Sequence, residues 1–563
     1  MKNNTFFKLF IIFLIAFLFR LWFIDKPEGL WNDEYVSWFI ASKKDFTDFL
    51  TEMFRNCHAP LYYIYLKIWM FLFKDSDISL RISSVIPSLL TIITMFFVGK
   101  EAKNIKLGIL CSFLTAISSF HIYFAQEVRL YSLLMLLCSL TLLFFIKLEK
   151  KQNAFNFIIF FCTNALICAT HTLGIIFSLI NITTLLILLY KENKFFKEKT
   201  KNLIIILKYI SPFILVVLLI LPFLFTVAFS QSLSQFWSNF SISKILFCIV
   251  DYFSPIQTNI VNVPDTILAY IFKDGNINYI FIIFAILPSI IGLIGIYRGL
   301  KEKNTTINYY FISAFLFFIS LIILSILGKI ILITKYSCEI YPILILVFAL
   351  GLISFRKKTI KVLLASIFIT LNIFYLLTSS DSAPKRTRSE GHLAVIKLLE
   401  NSRLKNKDFV LLTYYDKDKF ERYLNKNTKY NFYSISKFNF NYFMFNNDNY
   451  YETINKGKTI YRNYFKEFPN EIIIKYVNDN FNSKMKKGDR IGIIFLNTVS
   501  FLSNDKIQKI VNDNKEYDRT PFIFLSFSAL RNSLLYSFKN NYRIDSITQA
   551  GDWTLFVFEK IEN

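Results

Sequence analysis

The stretch Gln126-Glu127-Val128-Arg129-Leu130-Tyr131 sets a carboxylate and a guanidinium between two apolar runs. A second acidic pair, Asp33-Glu34, lies between the aromatics Trp31 and Tyr35, soon after the first apolar run. Ionisable groups at membrane depth are costly, so they are usually kept for chemistry or transport. A partly desolvated carboxylate near a membrane face has the chemistry of a general base acting on a hydroxyl. Burial and neighbouring cations then set its proton affinity. An arginine beside it offers a planar, permanently charged fork suited to phosphate. Each pair also has a plainer reading. Asp33 suits the start of a helix, and Glu127 with Arg129 suits an ion pair closing a helical hairpin.

Two further elements carry cations. In Cys57-His58-Ala59-Pro60-Leu61-Tyr62-Tyr63, Pro60 is suited to the first turn of a helix. His58 then stands near a helix N-terminus, where anions bind readily. In Thr334-Lys335-Tyr336-Ser337, Lys335 stands at the mouth of an apolar run, as a snorkelling lysine also would. Each signal is weak alone. Two acidic sites and several cations on one membrane face together suit transfer from a lipid-linked phosphate donor.

These residues must be positioned by membrane helices. The chain has 563 residues, of which 54% are hydrophobic, and a mean hydropathy of +0.43. That is too apolar for a soluble enzyme of this length. Apolar runs of about 18 to 25 residues recur, long enough to cross a bilayer as helices. Spans are expected at residues 6–24, 79–99, 107–124, 130–147, 154–171, 173–190, 203–228, 279–298, 308–327, 337–355 and 360–379, eleven in all. The first is read as an uncleaved span, since no small-x-small cleavage site follows it.

The net charge of +24 does not point to nucleic acid, because of where it sits. Basic clusters at residues 100–106, 147–151, 191–201, 298–303 and 356–361 alternate with the apolar runs. Short basic loops mark the cytoplasmic side. This sets the N-terminus inside and the loops with Asp33, Glu127, His171 and Lys335 outside, in a multi-pass cell (plasma or inner) membrane protein. Residues 59–73 are apolar but short and begin near Pro60. Counting them as a span would put every later lysine cluster outside. They are read as a juxtamembrane helix at the outer interface, a depth that suits Tyr62, Tyr63, Tyr65 and Trp69. Gly292, Gly295 and Gly299 share one span, a spacing that signals close helix packing.

Beyond about residue 381 the long apolar runs stop and Asn, Lys, Asp and Tyr rise. Short apolar runs at residues 409–412, 491–495 and 553–558 read as strands, and residues 392–399 and 417–424 as helices. This gives two domains: a transmembrane domain over residues 1–380 and an extracytoplasmic soluble α/β domain over residues 381–563. Seven cysteines, none after Cys338, and four scattered histidines form neither a disulfide framework nor a zinc pattern.

The order of the motifs resembles the GT-C superfamily of integral-membrane glycosyltransferases, in the branch holding protein O-mannosyltransferases and the lipid A aminoarabinose transferase. The resembling residues are Trp31-Asn32-Asp33-Glu34, His58-Ala59-Pro60-Leu61-Tyr62-Tyr63, Ser79-Leu80-Arg81-Ile82, Gln126-Glu127-Val128-Arg129-Leu130-Tyr131, and Lys335-Tyr336 with Pro342. They cover roughly residues 6–355. The resemblance implies inverting transfer of a hexose or pentose from a polyprenyl-phosphate donor to a hydroxyl of a protein, lipid or cell-surface glycan. It casts Asp33 as general base with Glu34 in support. Glu127 becomes a second acidic site that binds acceptor or, with Asp33, a divalent cation such as Mg or Mn. His58, Arg129, Lys335 and Tyr336 would hold the donor phosphate, and Trp31, Tyr62 and Tyr131 would line the acceptor side. Two departures stand out. Ala59 replaces the first proline of the family's His-Pro-Pro-Leu, and Lys335 replaces the arginine of its Arg-Tyr, which removes bidentate phosphate recognition.

Two other classes compete. A lipid or polysaccharide transporter would favour inverted repeats and broken helices at mid-membrane, and neither is visible. A non-catalytic assembly protein on the same fold would not need Asp33 and Glu127.

Overall fold

A computed structural model of the chain describes residues 2–25, 29–55, 59–191, 286–302, 304–327, 334–378, 392–405, 407–412, 430–434, 477–496, 541–550 and 553–561. Short pieces between 210 and 277 and the single residues 332 and 538 are also described. Contacts divide the chain into two compact units, Met1–Lys26 with Val36–Arg386, and Pro27–Tyr35 with Thr387–Asn563.

The first unit is helical. Its elements are α1 (Lys2–Leu21), α3 (Phe46–Arg55), α4 (Pro60–Phe73), α5 (Asp77–Ala102), α6 (Ile105–Ile117), α7 (Ser119–Ala125), α8 (Tyr131–Lys150), α9 (Ala154–Thr170), α10 (Gly174–Lys191), α11 (Leu287–Leu300), α12 (Thr305–Ile326), α13 (Tyr341–Ser354) and α14 (Lys358–Thr378). Between α1 and α3, α2 (Asn32–Ser42) begins in the second unit and runs into the first. Among the described residues six helices are long and apolar enough to cross a membrane, or seven if α6 and α7 count as one broken span. The chain is thus a multi-pass membrane protein. The expected span 203–228 lies mostly outside the described residues.

The span expected as one helix over 107–124 is bent by 60° between α6 and α7. Ser118 makes the break. Its extended backbone ends α6, and its hydroxyl accepts from the His121 N–H to start α7. Asparagines begin the helices that follow basic turns: Asn104 caps α6, Asn153 caps α9 and Asn304 caps α12, each accepting an N–H of the first turn. Capping satisfies donors that a membrane interface leaves exposed.

The basic turns meet at one end of the helical unit. Lys103 pairs with Glu302 at 2.6 Å and Lys150 with Glu101 at 3.3 Å. The Asn304 side-chain amide donates to the Ala102 carbonyl. Helix α8 starts at Tyr131, beside Glu127 and Arg129, and ends at Lys150. Twenty helical residues rise about 30 Å, the thickness of a bilayer core. The carboxylate turn and the lysine turns therefore lie at opposite ends of a membrane-length helix. Helix α4 has 14 residues, a rise of about 21 Å and too short to cross. It buries Tyr62, Tyr63, Leu66 and Trp69 and leaves Ile68, Phe71, Leu72 and Phe73 exposed.

The glycines do pack helices closely. A Cβ on Gly351 of α13 would fall 1.7 Å from the Gly295 carbonyl oxygen of α11, and one on Gly299 would fall 2.1 Å from the Val347 carbonyl oxygen. Backbone cannot swing aside as a side chain does. Gly351→Leu is therefore expected to separate α11 from α13 and cost at least the roughly 1–3 kcal/mol of ordinary overpacking. The thermal midpoint of the detergent-solubilised protein should fall. A midpoint equal to wild type would show that this contact is not tight.

The second unit carries a five-stranded sheet. A two-residue hairpin, β1 (Phe272–Lys273) with β2 (Asn276–Ile277), precedes it in the chain. The sheet strands are β3 (Phe409–Leu412), β4 (Asn431–Ser434), β5 (Arg490–Leu496), β6 (Tyr542–Ala550) and β7 (Trp553–Lys560), in the order β4-β3-β5-β7-β6. The first three are mutually parallel, while β7 runs antiparallel to β5 and β6. Leu411, Ile491, Ile493, Phe538 and Phe558 build its core with Val477 and Phe481. Helix α15 (His392–Glu400) packs against β6 and β7. A register break at Ile544/Ser546 sets Asp545 beside Arg403 at 3.1 Å and Arg490 at 3.5 Å. The helix expected at 417–424 lies outside the described residues.

Candidate active site

The residues singled out in the sequence fall into both units. Trp31, Asp33 and Glu34 belong to the second, and Tyr62, Glu127, Arg129, Tyr131, Lys335 and Tyr336 to the first. His58 lies outside the described residues.

Asp33 and Glu34 occupy the first turn of α2. Glu34 is buried, and its Oε2 accepts the Trp31 backbone N–H at 3.3 Å. This is the reciprocal half of a capping box, in which a side chain three residues into the helix holds the residue before it. Glu34 thus fixes the start of α2, while Asp33 stays partly exposed. The positive end of the helix dipole favours a negative charge there.

The α7–α8 turn is held from both sides. The Gln126 amide donates to the carbonyls of Phe19, Arg20 and Trp22, at 3.3, 3.2 and 2.9 Å, and so caps the end of α1. Arg81 does the same for the Ile24 carbonyl at 3.0 Å. In the turn itself the Arg129 N–H donates to the Glu127 carbonyl at 2.8 Å. Glu127 and Arg129 are both buried. Arg129 reaches Ser37 Oγ at 3.4 Å and lies 6.0 Å from the centre of the Tyr131 ring. Its charge also acts on the Tyr62 phenol, which burial pushes well above the usual tyrosine range. Arg129, Tyr62, Tyr131 and Ser37 thus make one neighbourhood.

A second neighbourhood centres on the short 3-10 helix Thr334–Ile340, which leads into α13. Cys338 is fully buried within electrostatic reach of Glu339, Glu127 and Lys335. The predicted Glu127 and Lys335 thus both act on the Cys338 thiol. Two groups there were not singled out as site residues from the sequence. Glu339 Oε1 lies 2.5 Å from His171 Nδ1, and the Glu339 side chain is wholly buried while that of His171 keeps 10% of its surface. Glu339 Oε2 has no hydrogen-bond partner among the described residues. A buried polar atom left so costs about 1–3 kcal/mol. The Tyr336 ring stacks on His171 at 6.2 Å between centroids. The Tyr252 hydroxyl, 2.5 Å from Ser337 Oγ, pins the same short helix.

Among the described residues no three His, Cys, Asp or Glu side chains come together as a metal site.

No protein-family model matches the chain, and no curated protein does. Solved structures similar to it include the Archaeoglobus fulgidus oligosaccharyltransferase in its apo form, at 13% identity and a TM-score of 0.49, over 93% of this chain and 72% of that one. ArnT from Cupriavidus metallidurans is similar in two states. Its apo form shows 9% identity and a TM-score of 0.48, over 97% of each chain. Its undecaprenyl phosphate complex shows 11% identity and a TM-score of 0.46, over 97% of each chain. These neighbours are GT-C membrane glycosyltransferases. At such scores the likeness assigns this chain no activity and no residue a role.

Proposed function

We propose that this protein is a membrane glycosyltransferase that moves a sugar from a polyprenyl-phosphate donor to a hydroxyl acceptor at the outer face of the membrane. The observation that supports it most is the burial of Glu127, Arg129 and Glu339 at the end of the helical unit opposite the lysine turns. Charges are kept at such depth for function, and the motifs there read in the order of that superfamily. In this reading residues 1–380 form the catalytic domain, with about eleven spans, and residues 381–563 lie outside.

The acceptor oxygen attacks the anomeric carbon of the donor. The bond from that carbon to the phosphate oxygen breaks, and the electron pair leaves with the phosphate. The acceptor proton goes to the Asp33 carboxylate, and the anomeric centre inverts. Arg129 and Lys335, with His58, match the charge developing on the phosphate, and pre-set cations at a leaving group are worth more in a dry site than in water. Tyr336 borders the phosphate. Glu34 positions Asp33 by holding the start of α2. Glu127 orients the acceptor, and Trp31, Tyr62 and Tyr131 line its side.

The test is purified protein in detergent with labelled polyprenyl-phosphate hexoses and pentoses and a membrane extract as acceptor source. Release of polyprenyl phosphate together with labelled acceptor is the expected result. Well-folded protein that releases none from any donor would sink the reading.

A further inference from the structure

We propose that His171, held by Glu339, is a further cationic ligand for the donor phosphate, beside Lys335; the inference rests on the transferase reading above. The His171–Glu339 pair joins the end of α9 to the short helix before α13, 168 residues apart in sequence. One imidazole nitrogen, Nδ1, faces Glu339 at 2.5 Å. A carboxylate there fixes the orientation of the ring. The carboxylate leaves the second nitrogen for another partner, and as an imidazolium the ring would present an N–H there to a phosphate oxygen. His171 is also the member of the pair that keeps some exposed surface.

Three observations set Lys335 near this pair. Lys335 lies four residues before Glu339 in the same short segment, across a kink at Ser337. Tyr336, the next residue, stacks on the imidazole and holds its plane. Lys335, Glu339 and Glu127 all act electrostatically on Cys338. Glu339 is moreover a buried carboxylate with one oxygen unpartnered among the described residues. Purely structural pairs usually satisfy both oxygens. A carboxylate orients the imidazole here as it does for metal-bound histidines, but toward a phosphate oxygen the second nitrogen must donate a hydrogen instead of offering a lone pair. It also answers a gap in the motif. Lys335 is a point charge where the related pattern has an arginine fork, and His171 would supply the second fixed donor position that a single ammonium does not. Glu339 is a positioning residue, since it acts through His171.

The experiment is equilibrium binding of farnesyl phosphate to the full chain in detergent, with farnesol as the phosphate-free control. His171→Gln keeps a donor toward Glu339 and loses the charge, and Glu339→Gln keeps the shape and loses the orienting carboxylate. Both are expected to weaken farnesyl phosphate about tenfold while leaving farnesol unchanged, and His171→Arg should recover part of the loss. If His171→Gln binds farnesyl phosphate as wild type does while Lys335→Ala binds it less well, the inference fails and the transferase reading stands. If His171→Gln weakens farnesol and farnesyl phosphate alike, the pair is structural and the inference fails. A wild-type protein that does not distinguish the two probes would overturn the transferase reading and this inference together. Should His171→Gln not fold, Glu339→Gln and His171→Arg carry the comparison.

Discussion

Asp33→Asn is expected to reduce sugar transfer by about 10²–10⁴-fold, the usual worth of a positioned general base. The substitution isolates the proton-accepting role because little else changes. Asparagine has the same shape and fits the first turn of a helix as well as aspartate does. The Glu34 carboxylate on the Trp31 N–H holds the start of α2. The negative charge lost near the helix N-terminus is worth about 0.3–1 kcal/mol. A domain survives a change of that size, so activity should vanish while the thermal midpoint stays. Release of polyprenyl phosphate from labelled donor, wild type against variant, reads the outcome. Equal turnover would strip Asp33 of the role and pass it to Glu127. Glu34→Gln should be milder, because a glutamine oxygen still accepts the Trp31 N–H.

Much of the frame could be read from periodicity and charge. The lysine clusters announced one end of the helical unit, and Lys103 with Glu302 and Lys150 with Glu101 join the turns that carry them. Gly295 and Gly299 announced a close helix contact, which Gly351 and Val347 complete from the other side. The strands at 409–412, 491–495 and 553–558 lie within β3, β5 and β7. The break at Ser118 was not legible, because a hydropathy run carries no information on a 60° bend. Glu339 was legible in the sequence, though its partner was not. It is a carboxylate inside the expected span 337–355, which is itself a signal of function. His171 could not be linked to it from spacing, since the pairing depends on how α9 packs beside the 3-10 helix. Arg20, likewise inside an expected span, has the same standing as Glu339: the charge was visible, its partners were not.

Those partners make Arg20→Leu the substitution expected to damage the helical unit most. Its guanidinium is fully buried and donates to Ser88 Oγ at 2.6 Å, to the carbonyls of Ala16 and Ala116 at 3.0 Å, to the Thr115 carbonyl at 3.3 Å and to His121 Nδ1 at 2.7 Å. Thr115 and Ala116 are in the last turn of α6, just before the bend. Helix ends leave such carbonyls unpaired and slightly negative, so a cation is doubly suited to them. Within a bilayer core no water replaces a lost partner. Each polar atom stranded there costs about 1–3 kcal/mol, and leucine strands several at once. The loss should appear as a lower yield of folded protein and a lower thermal midpoint in detergent. Arg20→Lys should recover only part of it, because a single ammonium cannot span the positions that the planar fork reaches. The effect should also reach the chemistry. The bend that Arg20 holds leads through α7 into the turn bearing Glu127 and Arg129, and Gln126 ties that turn back to the Arg20 carbonyl. Arg20→Leu is therefore expected to lose transfer and stability together, whereas Asp33→Asn loses transfer alone. An Arg20→Leu protein with a wild-type midpoint would mean that the bend is held by the apolar packing of α1, α5 and α6, and that the guanidinium sits there for another reason.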